Sequence, residues 1–199
     1  MGIRTTTETR LLDAADELFF TRGIAATPVD AVIARAGVSA ATLYRGYASK
    51  EALVAAALER RHRAWLDVWD AAVARADSDR GRLLAVLDAL EEFRGRPDGS
   101  RWCAFLASAA EYADPPAELA AAVARDTDTL RERLTALAEP LVGADVAPDL
   151  AEQLVLVVSG DLAMRLRDPG HTLATARAVA AALVDAATVT STPGASSSA

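Results

Sequence analysis

Residues 31–53 read AVIARAGVSAATLYRGYASKEAL, and the punctuation inside this run decides the fold. Gly37 stands where a left-handed residue ends one helix. Ser39 follows as the N-cap of a second, over about 39–45, and Ser49 repeats the device to open a third at Lys50. Just upstream, TPVD at 27–30 offers Thr27 as a cap, Pro28 at the first helical position and Asp30 three residues after the cap. Two short helices joined by a tight glycine-containing turn make a helix-turn-helix. Helices this short are not stable alone and need a packed neighbour.

The neighbours are legible on both sides. Leu11, Ala15, Leu18 and Phe19 fall on one stripe of a helix over about 7–22, which Gly23 stops. From Lys50 a long helix runs to about 76, with Val54, Leu58, His62, Trp65, Trp69 and Val73 along one side. Further helices are expected at about 81–94, 101–113, 116–139, 148–167 and 172–188. The segments RGRPDGS, DPP, VGADVAP and DPGH divide them, each carrying Gly or Pro. No stretch alternates as a strand does, so the expected fold is all-α with about nine helices. The ending STPGASSSA, 191–199, is expected to be a disordered tail.

Composition narrows the function. The chain has 199 residues, a net charge of −7 and 5% aromatics. Residues 1–60 carry equal numbers of acids and bases, so all the excess acid lies beyond them. Overall charge therefore does not suit non-specific coating of nucleic acid. One cysteine, Cys103, excludes an internal disulfide and a multi-cysteine metal site. No apolar run approaches 18 residues and no signal peptide is evident, so the chain reads as cytoplasmic with no membrane partner. There is no glycine-rich phosphate loop, no Ser-x-x-Lys and no paired metal ligands. No enzyme, cofactor or metal is expected.

The run at 31–53, with AADELFFTRGIAATPVD at 14–30, closely resembles the N-terminal domain of the tetracycline-repressor (TetR) family of transcriptional regulators. The likeness rests on Ile33, Ala34, Ala36–Ser39, Thr42–Tyr44 and Ser49–Leu53. It implies a three-helix DNA-binding domain over 1–49 and a helical ligand-binding and dimerisation domain over 50–190. It also implies a homodimer on a palindromic operator in double-stranded DNA, with the helix at 39–45 in the major groove. Thr27, Tyr44 and Lys50 match family positions that contact phosphate. Ser39, Ala40, Ala41, Thr42, Arg45 and Tyr47 complete the expected DNA-binding set. Lys50 is the only lysine in the chain, placed in a first helical turn where the dipole disfavours a cation. A phosphate there would account for it. Gly46 departs from the family, which has a bulkier residue at that position. Ala40 and Ala41 offer methyl groups only, leaving base readout to Ser39, Thr42, Arg45 and DNA shape.

The resemblance further implies a small-molecule effector, and Trp65, Trp69, Trp102, Phe105, Leu106 and Tyr112 are its candidate contacts. Periodicity by itself fits a plain core equally. His62 is expected to be packed or hydrogen-bonded, and Asp161 either pairs with Arg165 or faces a pocket. Two readings stand: a ligand-released repressor, or a DNA-binding protein whose C-terminal bundle docks a protein partner.

Overall fold

The computed structural model describes residues 5–96, 103–112, 114–168 and 170–191. Among them are nine helices and no strand: α1 Thr5–Arg22, α2 Val29–Ala36, α3 Ala40–Gly46, α4 Lys50–Arg75, α5 Asp79–Arg94, α6 Ala104–Glu111, α7 Ala117–Val142, α8 Ala147–Arg167 and α9 Ala174–Ser191. The all-α expectation holds. The expected tail lies outside the described residues from 192 onward, while Ser191 closes α9. Trp102 also lies outside them.

The chain divides into two compact units, Met1–Trp65 with Arg94–Asp126, and Leu66–Phe93 with Thr127–Ala199. The first unit's core gathers Leu11, Phe19, Phe20, Ile24, Leu43, Leu53 and Leu58 with Phe105 and Leu119. Burying aliphatic and aromatic side chains of this size is worth about 1.5–3 kcal/mol each, which the short α2 and α3 need. In the second unit Trp69, Leu83, Leu87, Leu134, Leu150, Leu154 and Val184 are fully or almost fully buried. Arg80 grips Asp185 through two bonds of 2.8 and 3.0 Å, and Arg177 meets Asp88 at 2.7 Å, both tying α9 to α5.

Two local expectations need correction, and a third is decided between its alternatives. Thr27 does not cap α2, because its hydroxyl turns back to the Gly23 and Leu18 carbonyls at 2.8 and 3.2 Å and is buried there. Pro28 takes the cap position without any side-chain bond. Helix α7 runs through Pro140 instead of ending before it. The proline forfeits one bond of the ladder, but the Gly143 N–H closes on the Glu139 carbonyl at 2.9 Å. Asp161 does pair with Arg165, at 2.6 Å, and also receives His171 Nε2 at 2.9 Å. That triad closes the α8–α9 connection with a carboxylate wholly shielded from solvent.

Candidate nucleic-acid interface

The helix-turn-helix is built from caps inward. Gly37, at φ 61°, ends α2, and its N–H and that of Val38 return to Ala34 and Ile33. Arg10 of α1 reaches this turn and donates through Nη2 to the Ala36 carbonyl and, at 2.9 Å, to that of Gly37. A cation at the negative end of α2 is favourable, and it pins the turn to α1. A Cβ at Gly37 would lie 2.7 Å from the same Nη2, so the position suits glycine twice over. The open cleft beside the turn, about 300 Å³, is lined by Arg10, Asp13, Glu17 and Arg35. Its charges are spoken for: Arg35 pairs with Glu17 at 2.6 Å, and Asp13 takes Arg60 at 2.7 Å.

Ser39 caps α3, accepting the Thr42 N–H at 3.2 Å, and the Ser39 and Thr42 hydroxyls lie 2.8 Å apart. One hydroxyl proton is consumed between them, so the pair offers one free donor. Leu43 is completely buried and anchors the helix, with Val38 packed on the same core. Ser39, Ala40, Ala41, Tyr44 and Arg45 are exposed, and Thr42 is half-buried. Tyr44 is 51% exposed, unusual for a large aromatic ring without a partner surface. One side of α3 is therefore a ridge of two methyls, a phenol, a guanidinium and a hydroxyl pair, of a size that fits the major groove.

The other candidate contacts sit differently. Thr27 is interior, as described. Tyr47 is also buried, and burial, reinforced by the Glu8 carboxylate, raises its phenol above the ordinary value. Both belong to the support of α3 more than to its exposed ridge. Lys50, the first residue of α4, is half-buried: Nζ donates to the Ile24 carbonyl at 2.5 Å and lies 5.8 Å from the Phe19 ring centre. Ser49 caps the same helix through the Ala52 N–H at 3.0 Å. Arg60, one α4 side chain, holds both Asp13 and Asp16 of α1. Burial nevertheless pushes the Asp16 carboxyl above its usual range, against the pull of Arg60.

The candidate effector residues are distributed over both units. Trp69, in the second, has no exposed surface and carries the Arg133 guanidinium 4.7 Å over its ring. Trp65, Leu106 and Tyr112, in the first, are half-buried. Phe105 is buried edge-on against His62, 6.2 Å between ring centres, and His62 is both packed and bonded to Asp126 at 2.9 Å. Among the described residues no cluster of three His, Cys, Asp or Glu could hold a metal.

Residues 11–57 match the family model described as bacterial regulatory proteins, tetR family. A chain from Streptomyces avermitilis, named a TetR transcriptional regulator, is 31% identical, with 91% of this chain and 97% of that one covered and a TM-score of 0.73. This chain belongs to the TetR family. A TetR-family transcriptional regulator from Streptomyces coelicolor is 25% identical over 95% of this chain and 91% of that one, TM-score 0.79. A TetR-family regulator from Cytophaga hutchinsonii is 14% identical over 94% and 98%, TM-score 0.78, which speaks to the fold alone. No curated protein matches the sequence. As a TetR-family protein the chain is a DNA-binding transcriptional regulator and not an enzyme. No helix among its described residues is long and apolar enough to cross a membrane.

Sequence reasoning missed Arg10 and Glu111, which brace the reading head from 26 or more residues away. Glu111 had a usable signal, a carboxylate at the C-terminal end of a helix, where the dipole opposes it.

Proposed function

We propose that this protein is a cytoplasmic homodimeric repressor, released from a palindromic operator by a small hydrophobic effector. The observation that carries the reading is the α3 ridge: five exposed residues around Tyr44 and Arg45, on a helix fixed from beneath by Leu43. Ser39, Ala40, Ala41, Thr42 and Arg45 meet bases in this arrangement, and Tyr44 meets the backbone. Lys50 adds charge beside the phosphates at the start of α4, and Thr27 and Tyr47 act by holding the helices in place.

Dimerisation has its own support. Apart from Tyr44, every large apolar side chain left strongly exposed among the described residues lies on α8 or α9: Leu156 at 72%, Met164, Leu166, Val179 and Val189 at 77%. On α8, Ser159 and Gly160 are exposed on the same side as Leu156, with open space where a Gly160 Cβ would stand. Small residues between exposed aliphatics suit close approach of a second copy about a two-fold axis. Two recognition helices would then read half-sites about 34–36 Å apart. An effector contacting Trp65, Phe105, Leu106 and Tyr112 of the first unit would alter that spacing. A coupling of about 1–3 kcal/mol suffices for switching.

The test is selection of duplexes from a random pool by the purified protein, followed by footprinting of the DNA flanking its gene. A palindromic consensus and a protected site are expected. Absence of both at every salt concentration overturns the reading.

A further inference from the structure

Two charges sit at the wrong ends of their helices. Lys50 begins α4, where partial positive charge accumulates, and Glu111 ends α6, where partial negative charge does. Both go to one place, the turn between α1 and α2. Glu111 Oε1 accepts the Ile24 N–H at 3.0 Å and Oε2 accepts the Ala25 N–H at 2.7 Å. Lys50 Nζ takes the Ile24 carbonyl at 2.5 Å. The two polar groups of Ile24 are thus held from opposite signs by residues 26 and 87 positions away.

The turn is built to receive the carboxylate. Gly23 has φ 94°, and a Cβ there would lie 3.3 Å from Glu111 Oε1, so a side chain would crowd the clamp. Ile24 itself is buried, so its N–H has no easy alternative partner in water. Downstream, Thr27 bonds back to Gly23, and the chain enters α2, which leads through Gly37 into α3. The position of this turn sets where α2 starts, and so bears on where the reading helix sits.

We propose that Glu111 is a positioning residue for DNA binding: its carboxylate fixes the α1–α2 turn so that the helix-turn-helix is held in its operator-competent arrangement. Without the clamp only a fraction of molecules present that arrangement, and apparent operator affinity falls by that fraction. The direction separates this role from simple charge. Deleting an acid from a DNA-binding protein strengthens binding electrostatically, whereas deleting a clamp weakens it.

The proposal rests on the DNA-binding function, so the wild-type protein first selects its own duplex from a random pool. Affinity for that duplex and for a random one is then measured for the wild type, Glu111→Ala and Glu111→Gln across a salt series. Glu111→Ala should bind the selected duplex about tenfold or more weakly, as expected when two bonds to a charged group are lost. The random duplex should be bound as tightly as before or slightly tighter, and the slope of log affinity against log salt should stay at the wild-type value. Glu111→Gln, which keeps one acceptor oxygen, should fall between, and it decides the matter if the alanine variant does not fold. Unchanged or tighter operator binding in a folded variant overturns the proposal. So does an equal loss on both duplexes, which marks a reduced folded fraction.

Discussion

Removing the Asp161 carboxylate tests the electrostatics of the α8–α9 connection. Its side chain has no exposed surface, and the Arg165 side chain that pairs with it at 2.6 Å is only 8% exposed. Asp161→Ala leaves that guanidinium almost dry with no counter-charge and takes away the His171 bond of 2.9 Å. Breaking a buried pair from one side costs about 3–5 kcal/mol, more than the pair contributes relative to apolar replacements. For a chain of this length each kcal/mol moves the melting point by about 2–4 °C, so a fall of about 6–20 °C is expected. Asp161→Asn keeps the shape and should lose less. Asp161→Leu with Arg165→Met removes both charges and should recover most of the loss. The assay is circular dichroism melting at one fixed protein concentration, since association also shifts the midpoint. An alanine variant within about 1 kcal/mol of wild type would refute the reasoning. A double variant no better than the single would refute it too.

Three further outcomes are expected. Leu43→Ala should cost about 2–5 kcal/mol in chemical denaturation, because the side chain that anchors α3 is fully buried. Arg45→Ala should weaken operator binding by about 1–3 kcal/mol and narrow the gap between operator and random duplex, measured by fluorescence anisotropy. A uniform loss on both would reassign Arg45 to phosphate. Burial raises the Cys103 thiol above its ordinary 9.0, so the unfolded chain ionises first and stability is lost as pH rises past that value. Denaturation at pH 8, 9 and 10 should show this decline flattened in Cys103→Ala.

The helix-turn-helix was legible because its signals are local. The Ser39 and Ser49 caps and the Gly37 stop each act within four residues, and all three are found where the spacing puts them. Thr27 shows the limit. The same hydroxyl can bond forward to α2 or back to the Gly23 carbonyl, and only the packed turn chooses. Lys50 is the clearest lesson of this kind. Its awkward helix position pointed to an anion, and the structure sets a backbone carbonyl and a ring face against its ammonium. Arg10, Arg60 and Glu111 act over 26 to 87 residues, a range that periodicity does not reach. Asp161 illustrates an intermediate case: the partner four residues on was readable, the histidine beyond the helix was not.

A chain that writes all but one of its cations as arginine has an unusual chemical address. Amine-directed reagents, which ignore guanidinium groups, find a single side chain between the termini, and a lysine-specific protease has one bond to cut. That side chain is already engaged at the α1–α2 turn, so its rate of acylation reports how often the turn lets go. Peptide mapping that follows acetylation at Lys50 alone, apart from the terminal amine, would time that opening in the native protein, with no substitution made.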